Sequence, residues 1–224
     1  DALFALSRLA LYRLLDRGFS VERVLTLMRV YDETCLALCE GQYLDISFER
    51  RDDVSVEAYM EMIGKKTAAL VGASVQAGAI LATDDTAIIG AYHRFGYDLG
   101  LAFQIADDVK GSFWTSTESG KPEAGDIRRR KKTLPVVWAL SHAASGDRER
   151  LRTLYARGPD GDGPLDDAEV AEVLGILERS GAREHAEAQA RRYRDLALDQ
   201  LELLPCPPER RGELAMVVNA FIAA

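Results

Sequence analysis

The chain has 224 residues, 47% of them hydrophobic and 29% charged, a balance that supports a sizeable core and excludes disorder as its main theme. Its net charge of −8 argues against a protein that follows a nucleic-acid backbone. Three cysteines are too few for a disulfide framework at this length, and the three histidines share no metal-ligand spacing.

Apolar residues recur with helical period along almost the whole chain, so the expected fold is all-α, with residues 1–224 forming one domain. A first helix is predicted over about Asp1 to Arg17, stopped by Gly18. Ser20 caps a second through about Gln42, placing Cys35 and Cys39 four apart as core thiols. Ser55 opens a third, from about Val56 to Leu81. It includes the longest uncharged run, Thr67 to Thr83, whose 17 residues fall short of the roughly 20 that a membrane span needs. Its Ala and Gly content suits close packing against other helices. Asp84 is expected to cap the fourth, with an inward stripe of Ile88, Tyr92, Phe95, Leu99, Phe103 and Ala106 and an end near Asp108. Residues 109–132 read as a loop or short broken helices, and Pro135 opens the next helix. Gly158 to Pro164 reads as a surface loop. Asp166 with Glu169 forms a capping box for a helix to about Ser180, Gly181 ends it, a charged helix reaches about Leu204, and a final helix follows Pro205 to Pro208. The start lacks a signal-peptide pattern, so a cytoplasmic protein without a transmembrane segment is expected.

The segment Phe103-Gln104-Ile105-Ala106-Asp107-Asp108 carries the strongest chemical signal. On a continuing helix Asp107 would extend the inward stripe of Phe103, and two adjacent carboxylates at a helix C-terminus repel each other and the helix dipole. Mg²⁺ held by carboxylate, water and phosphate would relieve that repulsion. An isolated Asp-Asp pair is more often a solvated turn. Between Lys121 and Lys132 six cations face two acids, a basic island that fits a small polyanion, with Gly120 and Gly125 letting the backbone close around it. Lys65-Lys66-Thr67, inside the third helix, must reach the surface or meet an anion. Gln42 and Asp45 share a face near a helix end, a weak signal alone.

In chain order, GQYLD (41–45), KT (66–67), FQIADD (103–108), GKPEAGD (120–126) and KKTLP (131–135) resemble the trans-isoprenyl diphosphate synthase, or polyprenyl synthetase, family. The resemblance reaches to about Leu140. It implies an isoprenoid synthase type helical bundle with a central cavity, acting as a polyprenyl diphosphate synthase of the geranyl, farnesyl or geranylgeranyl type. Such an enzyme joins an allylic diphosphate to isopentenyl diphosphate using Mg²⁺, and the resemblance suggests a homodimer. By position it makes Asp107 a metal ligand with Asp108 in support. Lys66, Lys121 and Lys131 would bind the leaving diphosphate, Thr67 and Gln104 would face the developing cation, and Phe103 would line the isopentenyl side. Two departures accompany it. Gly111 stands where the second acidic motif usually has a carboxylate, and the first acidic motif would lie upstream of Asp1, so an N-terminal segment is expected to be missing. A terpene cyclase and a non-catalytic partner subunit are the alternatives.

Overall fold

The computed structural model describes residues 2–114, 124–156 and 163–222. All the regular structure among them is helical: α1 (Ala2–Asp16), α2 (Val21–Phe48), α3 (Val56–Ile63), a π-helical turn (Gly64–Ala68), α4 (Ala69–Ala82), α5 (Thr86–Phe113), the single turn α6 (Gly125–Arg128), α7 (Leu134–His142), α8 (Ser145–Ala156), α9 (Asp167–Arg179), α10 (Ala182–Leu203) and α11 (Pro208–Ile222). The all-α expectation holds, and most boundaries follow the punctuation in the sequence. Ser20 Oγ accepts from the Arg23 amide at 3.4 Å and Ser55 Oγ from the Ala58 amide at 3.1 Å, caps that typically contribute about 1 kcal/mol each. Asp166 and Glu169 form the reciprocal capping box, while Gly18 (φ +84°) and Gly181 (φ +67°) supply the left-handed residues that end helices.

Three boundaries differ. The second helix runs past Gln42 to Phe48, since nothing between them breaks a helix. Its C-terminal carbonyls are met by the buried ammonium of Lys132, which donates to Phe48 O at 2.8 Å and to Arg51 O. The cap of α5 is Asp85 and not Asp84; Asp85 Oδ1 accepts from Ala87 N at 2.9 Å, while Asp84 is drawn off to Arg23 at 2.7 Å. The same helix continues through Asp107-Asp108 to Phe113, because the buried Asp108 is surrounded by donors that offset its repulsion. Cys35 is half-buried and Cys39 exposed, so the expected core thiols are instead on the outer part of α2.

Helix α5 is the central post, packed on α4 and α10, with α2 across α4 and the π turn. The small residues set these distances. A Cβ on Gly100 would lie 2.6 Å from Ala68 Cα, and one on Gly96 would lie 2.9 Å from Val71 O. One core cluster therefore gathers α2–α5, α10 and α11 around Phe95, Leu99 and Ile105, and a second joins α6–α9 around Ile127, Leu151 and Ile176. Helix α7 belongs to both, giving Leu134 and Val137 to the first and Val136, Ala139 and Leu140 to the second. That shared helix fixes the basic turn before it against the end of α5.

Candidate active site

The Lys-Lys-Thr of the third helical segment lies in the π turn Gly64–Ala68, one extra residue wound into an otherwise continuous helix. Such turns re-aim the side chains they carry. Gly41 of α2 makes the turn accessible: its Cβ would strike the backbone of Lys65 and Lys66, so only glycine permits this approach. Lys66 then reaches Asp45 on the same helix, forming a short ion pair. Lys65, by contrast, points to Glu40 (3.0 Å) and Glu61 (2.9 Å) at the surface. The Thr67 hydroxyl donates to Gln104 Oε1 at 2.7 Å across to α5.

Asp108 is the hub. It is 1% exposed, and both its oxygens accept: Oδ1 from Gln104 Nε2 (3.2 Å) and Lys131 Nζ (3.2 Å), Oδ2 from the Tyr59 hydroxyl and the Leu134 amide (3.1 Å). Burial pushes its carboxyl up, against the pull of Lys131, Tyr59 and the Leu134 amide. Burial and the neighbouring Asp108 raise the Tyr59 phenol well above its ordinary value, so it stays a donor. Burial opposes the charge on Lys131, but Asp108, Asp126 and Asp107 outweigh it and the ammonium is held up.

The expected inward turn of Phe103 and Asp107 is not found. Phe103 is 38% exposed and Asp107 half-buried, while Ile105 and Asp108 take the inward positions. The reason is a rotation of the buried face along α5: the close contacts of Gly96 with α4 and of Gly100 with Ala68 of the π turn carry it onto Leu101, Ile105, Asp108 and Ser112. The expected gap at Gly111 is also filled differently, since the Asp126 carboxylate occupies the space that a side chain there would need.

Lys66, Gln104, Asp108 and Lys131 thus converge, together with Asp45 and Tyr59, on a space of about 20 Å³, room for a water molecule. An adjoining groove of about 190 Å³ is lined by Lys131, Lys132 and Arg129 beside Asp45 and Glu49. Phe103 and Asp107 stand on the adjacent, more open face of α5. Lys121 lies outside the described residues. Asp45 was a weak signal in the sequence and Tyr59 gave none; a lone tyrosine on an apolar face reads as core until its hydroxyl partner is known.

A family model described as polyprenyl synthetase matches residues 1–172. The chain belongs to the polyprenyl synthetase family. It is 41% identical over 203 residues to the short chain isoprenyl diphosphate synthase of Methanothermobacter thermautotrophicus, covering 91% of this chain and 60% of that one. The fold matches the crystal structure of a polyprenyl synthetase from Streptomyces coelicolor A3(2) with a TM-score of 0.88 and 33% identity, covering 99% of this chain and 64% of that one. It matches geranylgeranyl pyrophosphate synthase from Corynebacterium glutamicum, crystallised with isoprenyl diphosphate and magnesium, with a TM-score of 0.82 and 26% identity over 93% of this chain and 58% of that one. This polyprenyl synthetase chain therefore spans less than two thirds of the length of each relative.

Magnesium prefers hard oxygen ligands and keeps several waters. Asp107 fits, because its carboxylate is half-buried on an open face and accepts none of the hydrogen bonds that occupy its neighbour. Asp108 fits only as support, both oxygens being committed to internal donors.

Proposed function

We propose that the chain is the part of a prenyltransferase that holds the departing diphosphate, in the Mg²⁺-dependent condensation of an allylic diphosphate with isopentenyl diphosphate. The observation that carries this reading is the convergence of Lys66 and Lys131, 65 residues apart in sequence, on one space with Gln104 and Asp108. Residues 1–224 act as one domain of a cytoplasmic homodimer. No described helix is long and apolar enough to cross a membrane.

The chemistry divides among the side chains. Lys66 and Lys131 take the charge that develops on the leaving diphosphate, with Lys121 as a third cation. Their present carboxylate partners keep the ammonium groups aimed while no anion is bound. Bound magnesium supplies further neutralisation of the diphosphate, and Asp107 is the ligand this chain offers it. The Thr67 hydroxyl spends its proton on Gln104 Oε1, so its lone pairs remain free to face a carbocation, and Gln104 is locked in orientation by donating to Asp108. Phe103 lines the side from which the isopentenyl double bond attacks, before a proton is lost.

Incorporation of labelled isopentenyl diphosphate into prenyl products tests the proposal. Product should require Mg²⁺, an allylic diphosphate and isopentenyl diphosphate together. Products formed from the allylic diphosphate alone would identify a cyclase, and no turnover of any prenyl diphosphate would overturn the catalytic reading.

A further inference from the structure

We propose that Asp126 is the positioning residue for Lys131 and that Gly111 is what allows it to stand there. This rests on the reading of Lys131 as a diphosphate ligand. Gly111 lies one helical turn beyond Asp107 on α5, on the same side of the helix. A Cβ on Gly111 would overlap Asp126 Oδ2 and stand 2.8 Å from Asp126 Cγ, and its three nearest neighbours would all be side-chain atoms of Asp126. A side chain at 111 therefore displaces the carboxylate before it disturbs any backbone.

The displaced group is already committed. Asp126 is 7% exposed, its Oδ1 accepting from Arg129 at 2.8 Å and its Oδ2 facing Lys131 Nζ at 3.6 Å. Asp108 holds the same ammonium at 3.2 Å from α5, so Lys131 hangs between carboxylates of two separate segments. Asp108 from α5 and Asp126 from α6 together hold it at the edge of the groove it shares with Arg129 and Lys132. The backbone is bent to make this pairing. Ala124 (φ +49°) and Arg130 (φ +55°) flank the region in left-handed conformations that residues with a Cβ rarely adopt, and the Lys131 amide donates to Asp126 O at 2.9 Å. Arg130 in turn anchors the turn through its guanidinium, which donates to Leu154 O (2.9 Å) and Gly163 O (2.7 Å).

The test is titration calorimetry of inorganic diphosphate with Mg²⁺ into the full chain and its variants, with thermal unfolding as a check on folding. Gly111→Ala and Asp126→Ala should each weaken binding about tenfold, the weight of one charge-assisted hydrogen bond. The double variant should bind no worse than Asp126→Ala alone, because the alanine at 111 then has no carboxylate to displace. Asp126→Asn keeps the size and removes the charge, so it should weaken binding to a similar extent even if Gly111→Ala folds poorly. Wild-type affinity in Asp126→Asn, or effects of Gly111→Ala and Asp126→Ala that multiply in the double variant, would overturn the positioning role. Lys131→Ala separates the two readings. If it weakens binding while Asp126→Asn does not, only the positioning fails; if it also leaves binding unchanged, the diphosphate reading fails and takes the positioning with it.

Discussion

Adjacent carboxylates on one helix have been given opposite duties by a rotation of 100° about its axis. Asp108 is sealed inside with four donors, whereas Asp107 keeps its oxygens on an open face. Asp108→Asn should therefore cost stability, about 3 kcal/mol, because it removes the anion from a buried ion pair and turns an amide N–H toward donors. Asp107→Asn should leave stability within about 0.5 kcal/mol, yet raise the Mg²⁺ concentration needed for half-maximal turnover. Denaturant unfolding and a Mg²⁺ titration of the rate check the pair; equal effects of both substitutions on both measurements would contradict the division. Lys66→Ala and Lys131→Ala each remove a charged partner of the diphosphate, worth about 1.5–3 kcal/mol, so kcat/KM should drop by roughly one to two orders of magnitude.

At the level of elements, the spacing of helices is set by glycines whose Cβ position is already taken. Gly41 sits so close to the backbone of Lys65 and Lys66 that Gly41→Ala must push α2 off the π turn. The expected cost is about 1–3 kcal/mol of overpacking, with the Lys66–Asp45 pair broken and diphosphate affinity lowered; thermal unfolding and calorimetry read the two effects. The junction of α7 and α10 is held differently, by the Trp138 ring stacked between His142 and His185 with centroids 3.5 Å away on either side. Burial, and then the neighbouring His142, pushes the His185 pKa down, and its Nε2 is buried without a hydrogen-bond partner among the described residues. A base depressed in the folded state contributes stability above its unfolded value, and that stability is lost as pH falls through the lower folded value. The melting temperature should therefore decline below about pH 6.5, and His185→Gln should make that decline shallower, the part due to the likewise buried and depressed His93 remaining. A wild-type slope in the variant would place the titration elsewhere.

For the molecule as a whole, two cores meet at α7, so ordering the basic turn bears on both. Mg²⁺ with inorganic diphosphate should raise the melting temperature through linkage: at a hundred times Kd the gain is about 2.7 kcal/mol, roughly 5–10 °C for a chain of this size. Neither component alone should give the full shift, since Lys66 and Lys131 bind the anion while Asp107 meets the metal only beside it. The absence of any shift at saturating concentrations of both would remove the basis for the site.

What the sequence determined by itself was local or periodic: the all-α class, the caps at Ser20, Ser55 and Asp166, the stops at Gly18 and Gly181, and the five motifs that carry the family resemblance. Each is written within a few residues, as a capping side chain, an apolar repeat or a short ordered string. What only the tertiary structure decided was which side each helix buries and what meets across the gaps. Periodicity placed Asp107 inward by extending the stripe of Phe103, but the close approach of Gly96 to α4 and of Gly100 to the π turn turned Asp108 inward instead. Tyr59 and Asp126 joined the network through contacts 49 and 15 residues distant in sequence, to Asp108 and to Gly111. Helical spacing says which residues share a face; packing of one backbone against another says where that face points.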